Sequence, residues 1–139
     1  MNQSIAVFPQ SFIQNEILLK EILEIGNKYS CSIHLFDPKT YALNDFLNLN
    51  KPTIALVGLE KIDSNLLKSN QQLKFVSKFG VGTDNIDFNA LSNHSVNFGW
   101  TPGVNKRSVS ELVLSFALGH CRNVFQSIHK MKEIGRAHV

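Results

Sequence analysis

Five short runs of apolar and β-branched residues punctuate the chain, at 5–8, 32–36, 53–57, 74–77 and 96–98. None alternates strictly between apolar and polar positions, which is the pattern of strands covered on both faces in a parallel sheet. Between the first two runs, Ile17, Leu18, Ile22 and Ile25 recur at helical spacing. Between the third and fourth, Asp63 stands three residues ahead of Leu66 and reads as the N-cap of a short helix carrying Leu66 and Leu67. Strand and helix alternate throughout, which predicts an α/β layer with right-handed crossovers; a flavodoxin-like parallel sheet with flanking helices is the simplest form. Pro9, Pro38, Pro52 and Pro102 all fall between these elements, where a missing N–H is tolerated.

The last segment differs in kind. Ser108 and Glu111 have the spacing of a capping box, and the apolar positions after them predict one long helix over 109–132, roughly six turns. Its apolar residues form two stripes: Val109, Leu112, Val113, Phe116 and Val124 on one side, Leu114, Leu118, Cys121 and Phe125 on the other. Such a helix needs partners on both sides. A central core helix fits this pattern, and so does a bridge into a second domain or a dimer partner.

Composition sets bounds on these readings. With 139 residues, 43% hydrophobic and 18% charged, the chain fits a single soluble globular domain. The apolar stretch 109–118 is interrupted by Ser110, Glu111 and Ser115, so no transmembrane helix is expected. The first residues lack the basic start and cleavage site of a signal peptide, which predicts a cytoplasmic location. The net charge of +3 is scattered rather than gathered into a basic stripe, so nucleic-acid binding is not expected. Cys31 and Cys121 have no CxxC spacing and are expected to be buried apolar thiols, neither metal ligands nor a disulfide framework.

The most informative stretch follows the fourth strand. Gly80 and Gly82, two apart, lie in a loop at 79–85 that falls at the carboxyl end of a strand, where open α/β sheets bind ligands. Glycines there let the backbone turn and present successive N–H groups, a concavity suited to an anionic oxygen. Asp87 then reads as the N-cap of the next helix, which carries Phe88 and Leu91. A tight strand-to-helix turn needs the same glycines, so the spacing alone does not decide between the two. A dinucleotide fingerprint is rejected, because position 85 is Asn85 rather than a third glycine and no acidic residue stands at the required distance.

The residues around the loop settle more than its spacing does. Leu73 and Lys74 lead through Gly80, Val81 and Gly82 to Asp84, Asn85, Ile86 and Asp87; Thr101, Pro102, Gly103 and Asn105 follow, then Ser108, Val109, Ser110, Glu111 and Leu112. In this order the segment resembles the D-isomer-specific 2-hydroxyacid dehydrogenases, which include D-3-phosphoglycerate, glyoxylate and D-lactate dehydrogenases. The resemblance implies a substrate-binding (catalytic) domain over 1–107 and an interdomain and dimerisation helix over 108–133. It also implies an NAD- or NADP-binding Rossmann domain absent from this chain. It further implies that the backbone at Val81 and Gly82 binds the carboxylate of a small 2-hydroxy or 2-oxo acid, with Val81 also near the nicotinamide and Gly80 shaping the turn. Residues 101–105 would line an interdomain cleft, and the full-length protein would be a homodimer.

In such enzymes a His paired with a carboxylate moves the hydroxyl proton and an Arg polarises the carbonyl. None of His34, His94, His120, His129 or His138 occupies the matching motif, so no catalytic residue and no metal site is assigned. The phosphoglycerate branch carries an Arg just past its third strand and an Asn before the Thr-Pro pair. Here Gly58 and Trp100 stand in those places, which puts a phosphorylated substrate in doubt unless Lys78, Lys106 or Arg107 supplies the charge. Residues 134–139 match one reading frame of a common sequencing adapter and are expected to be non-native. The competing reading from another class is a stand-alone regulatory module of flavodoxin-like fold that binds a small carboxylate. A response-regulator receiver is a weaker third, since Val57 ends the third strand where a phosphoacceptor Asp would be needed.

Overall fold

The computed structural model describes residues 3–136, with side chains described over residues 3–132. The chain divides into two compact units, Met1–Pro102 and Gly103–Val139.

In the first unit the five apolar runs form β1 (Ser4–Val7), β2 (Ser32–Leu35), β3 (Ile54–Val57), β4 (Phe75–Lys78) and β5 (Asn97–Gly99). They build one parallel sheet in the order β2-β1-β3-β4-β5, the flavodoxin-like arrangement. Ala6 and Val7 of β1, Ala55 and Val57 of β3 and Val76 of β4 are buried with Leu67 and Leu73. Covering on both faces explains why these strands are short continuous apolar runs.

The helices of this unit are α1 (Gln10–Ile13), α2 (Glu16–Tyr29), α3 (Leu43–Asn50), α4 (Ser64–Ser69) and α5 (Phe88–Asn93). The inward face of α2 differs from the apolar stripe in the sequence. Ile22 and Gly26 are the buried positions, whereas Ile17 and Ile25 are 70% and 48% exposed. Gly26 explains the rotation: a Cβ there would lie 2.7 Å from Ile33 Cγ1, so the helix turns its side-chain-free position onto β2 and rests against it. α1 is a single turn after Pro9, and α3 starts without a side-chain cap, so neither has a strong sequence signal.

The two expected aspartate caps are present. Asp63 Oδ1 accepts from the Leu66 N–H at 3.0 Å, and Asp87 Oδ1 accepts from the Ala90 N–H at 2.9 Å. The Leu66 N–H, with Lys61 Nζ 3.3 Å away, holds the Asp63 carboxyl below the ordinary carboxylate range. A depressed folded-state pKa means that the stabilisation is complete above the ordinary carboxylate range near pH 4 and is lost as pH falls through the lower folded value. Asp63→Asn keeps an N-capping side chain without the titration. Denaturant unfolding of wild type and this variant between neutral pH and pH 2 is therefore expected to show a shallower acid loss in the variant, with near-equal stability at neutral pH.

Two expectations about cysteine and the last helix are corrected. Cys31 is half-buried and Cys121 exposed, because Cys31 precedes an edge strand and Cys121 lies in a helix with no buried residue. The single helix expected over 109–132 is instead α6 (Lys106–Cys121) and α7 (Val124–Arg136). Arg122 caps α6, and Asn123 takes a left-handed backbone with φ of 53°, a conformation Asn tolerates better than most residues. The two stripes meet across the break, where the Phe116 and Phe125 rings lie 6.4 Å apart. Ser108 and Glu111 do not form a capping box. The chain turns at residues 102–105, and the Lys106 N–H donates to Gly103 O, so the helix starts before Ser108. Glu111 pairs with Arg107 at 2.8 Å. The expectation for 134–139 falls mainly outside the described residues: 137–139 are not described, nor are the side chains of 134–136.

Candidate functional site

β3 and β4 run side by side, with Val57 opposite Lys78, and both end at the same edge of the layer. Each then enters a loop, and the two loops are tied together along their length. The Phe79 N–H donates to Val57 O at 2.8 Å, the Ile62 N–H to Asn85 O at 2.9 Å, and the Asp87 N–H to Ile62 O at 2.9 Å. Between these ties lies a polar cluster. Asn85 Nδ2 donates to Gly58 O at 3.1 Å and to Glu60 O at 2.6 Å, while its Oδ1 accepts from Lys78 Nζ at 2.9 Å. Lys78 Nζ also donates to Gly58 O, and Glu60 Oε2 accepts from the Gly58 N–H at 2.6 Å. The start of the β4 loop is held from the other side by an edge-on contact of Phe79 with Phe12 of α1, ring centroids 5.2 Å apart.

This scaffold leaves the loop tip open. Among the described residues, no acceptor is paired with the backbone N–H of Gly80, Val81, Gly82, Thr83, Asp84 or Asn85. A run of unsatisfied donors at the carboxyl end of a parallel sheet can receive an anionic oxygen. The expected site residues thus lie together in one loop, with Gly80 and Gly82 exposed and Val81 half-buried.

The two glycines have different roles. Gly80 has a φ of +130°, which side-chain-bearing residues rarely adopt. Gly82 has no such constraint, and a Cβ there would meet only Asp84 Oδ2 at 3.6 Å. Gly80→Ala is expected to lower unfolding free energy by about 1–3 kcal/mol. Gly82→Ala should leave the denaturation midpoint nearly unchanged, within about 0.5 kcal/mol. Equal losses in the two variants would contradict this division.

Sequence spacing does not reveal the cluster as a unit. Lys78, a candidate source of charge for a phosphorylated ligand, is bound down onto two oxygens, and Arg107 is engaged by Glu111. In the sequence Asn85 stands out as one residue of the 84–87 motif and as the residue that breaks a dinucleotide fingerprint, not as a clamp. Its partners at positions 58 and 60 lie 27 and 25 residues away, so only the sheet register brings them together. Of the histidines, His34 lies on β2, and His94 Nε2 is 3.4 Å from Ser64 Oγ. Among the described residues, no group of three His, Cys, Asp or Glu side chains could hold a metal ion. A separate open cleft of about 330 Å³ lies at the amino ends of β4 and β5, lined by residues including Asn70, Lys74 and His94.

Comparison with known proteins places the chain in a family and a fold. Residues 18–137 match the family model described as D-isomer specific 2-hydroxyacid dehydrogenase, catalytic domain. The chain is 31% identical over 87 residues to erythronate-4-phosphate dehydrogenase of Psychromonas ingrahamii, covering 63% of this chain and 22% of that protein. It is 28% identical over 121 residues to glyoxylate reductase of Thermococcus litoralis, covering 86% of this chain and 36% of the relative. Among solved structures, the NAD+-bound 3-phosphoglycerate dehydrogenase of Entamoeba histolytica superposes with a TM-score of 0.66 at 24% identity, covering 86% of this chain and 39% of that one. An acyclic imino acid reductase in complex with NADPH and D-Arg superposes with a TM-score of 0.74 at 19% identity, covering 94% and 41%. At these identities the structural likeness concerns the fold. The chain spans 22% to 41% of the length of these four proteins.

Proposed function

This chain belongs to the D-isomer-specific 2-hydroxyacid dehydrogenase family through its catalytic domain, and from that premise we propose that it is the substrate-binding part of a nicotinamide-dependent oxidoreductase acting on a small D-2-hydroxy acid. In the proposed arrangement the backbone N–H groups of Val81 and Gly82 bind the substrate carboxylate, Gly80 sets the turn, and Val81 lies near the nicotinamide. The observation that carries this reading is the run of open N–H donors at the end of β4, held by the polar cluster beneath it. Backbone donors fixed before the ligand arrives lose little entropy on binding it, which favours a small anion that makes few contacts.

The loop at 79–85 departs from a dinucleotide fingerprint. Position 85 holds an asparagine whose amide is committed to Gly58, Glu60 and Lys78, so the loop cannot wrap a pyrophosphate as a glycine-rich fingerprint does. The proposed division of labour follows from this. Residues 1–107 hold the acid, and residues 108–133 lead toward a cofactor lobe and a second copy of the chain in a homodimer. A nicotinamide, NAD or NADP, would supply the hydride chemistry at the substrate C2 and would be held by the cofactor lobe. The His, carboxylate and Arg that handle the proton and the carbonyl lie in that lobe too. No described helix is long and apolar enough to cross a membrane; a cytoplasmic location belongs to the proposal.

The test compares the 139-residue chain with the product of the complete natural reading frame. The complete product is expected to oxidise NADH or NADPH in the presence of a 2-oxo acid such as glyoxylate or pyruvate, and the 139-residue chain alone is expected to give no turnover. A folded complete product that binds such acids but reduces none would instead favour the regulatory carboxylate-binding module.

A further inference from the structure

Among the described residues, no carboxylate lies within ion-pair distance of the half-buried cation at the end of β4. Lys78 Nζ is bound by Gly58 O and Asn85 Oδ1, both neutral oxygens, and among the described residues Lys78 forms no salt bridge. A lysine withdrawn from water normally acquires a carboxylate partner, because desolvating an ammonium is costly. Two carboxylates lie close by but are disposed otherwise. Glu60 accepts the Gly58 N–H, and Asp84 is exposed, with Oδ2 3.6 Å from where a Cβ on Gly82 would stand. Lys78 Cε, in contrast, is 3.7 Å from where a Cβ on Gly80 would stand, so the charged end of the side chain lies against the first residue of the open N–H run.

We infer that Lys78 is a positioning residue for the anion site, supplying a positive field from behind the Gly80–Gly82 backbone while Asn85 holds it out of reach of the ligand. The inference rests on the carboxylate-binding reading proposed above. The hydrogen bonds to Gly58 O and Asn85 Oδ1 explain why the charge stays behind the loop rather than projecting through it. The same ammonium ties the β3 loop to the β4 loop through Gly58 O and Asn85 Oδ1 and forms no ion pair among the described residues.

The experiment titrates D-lactate into the 139-residue chain and follows the amide resonances of residues 80–85 by NMR, in wild type, Lys78→Met and Lys78→Arg. Removing the charge is expected to weaken binding on the order of fivefold, from Coulomb attraction at short range in a partly screened medium. Lys78→Arg should come within about twofold of wild type, and added salt should weaken wild type more steeply than Lys78→Met. Lys78→Gln, which keeps a donor toward Gly58 O, replaces Lys78→Met if that variant does not fold, with the same loss expected. Equal affinity in wild type and the uncharged variant, or equal loss in Lys78→Arg and Lys78→Met, overturns the role of the charge while leaving the carboxylate site standing. Absence of saturable shifts in wild type overturns both readings.

Discussion

Phe8→Ala is expected to destabilise the first unit by about 3–5 kcal/mol, a large part of the roughly 5–15 kcal/mol that holds a typical domain folded. Phe8 follows β1, is 2% exposed, and donates its N–H to Leu56 O at 3.0 Å. Its ring lies 5.2 Å from that of Phe36 and 5.7 Å from that of Phe46, and the Phe36 and Phe46 rings are themselves 5.2 Å apart. Three rings in mutual tilted and edge-on contact therefore close the layer between β1, β2 and α3. Removing the one they share leaves a cavity bounded by two large rings that cannot both collapse into it. The check is chemical denaturation followed by circular dichroism, with Phe8→Leu as the milder comparison, expected to retain more than half of the lost stability. A loss under 1 kcal/mol in Phe8→Ala would mean that this cluster is not part of the core.

Asn85→Ala is expected to cost about 2–3 kcal/mol and to free the loop tip. The amide makes three hydrogen bonds, to Gly58 O, Glu60 O and Lys78 Nζ, and alanine replaces none of them. A typical intramolecular hydrogen bond contributes about 1 kcal/mol net, and groups left unpaired near the interior cost more. The side chain is half-buried, so water relieves part of this loss. Stability alone does not distinguish a clamp from an ordinary polar contact. Amide hydrogen exchange does: exchange at Ile62 and Asp87, whose N–H groups bind Asn85 O and Ile62 O, should accelerate, while the interior of β3 and β4 stays protected. Uniform acceleration across the sheet would instead mark Asn85 as a general stability residue.

Each of the five strands lies within one residue of its apolar run, most plainly for the central β1, β3 and β4, which carry the buried positions, whereas the edge strands β2 and β5 have no buried residue. The aspartate caps were readable as well, since Asp63 and Asp87 act on N–H groups three residues away. Features that depend on distant partners were not. The face of α2 turned on Gly26 meeting Ile33, a contact set by the packing of helix on strand. The break at Asn123 was masked by apolar stripes on both sides of it, because helical periodicity does not register a single left-handed residue. The candidate site divides along the same line. Gly80, Val81 and Gly82 stand out locally, whereas Lys78, Gly58, Glu60 and Asn85 form a cluster only once β3 and β4 are in register.

Residue roles in the loop also became more specific. The spacing alone marks both glycines, and the backbone requires only the first, the one expected to shape the turn. The departure at Gly58 takes on physical meaning as well. Gly58 is buried and spends both its N–H and its carbonyl on the cluster, so the place where the phosphoglycerate branch presents an arginine is used here to brace the loop.

The most direct test of the account is the wild-type titration with paired ligands. D-lactate added to the 139-residue chain should shift the amide resonances of Gly80, Val81, Gly82 and Thr83 saturably, while lactamide, which has the same shape without the charge, should leave them in place. Shifts confined instead to Asn70, Lys74 and His94, around the cleft at the opposite end of β4 and β5, or identical responses to both ligands, would contradict the claim that this loop is a carboxylate site.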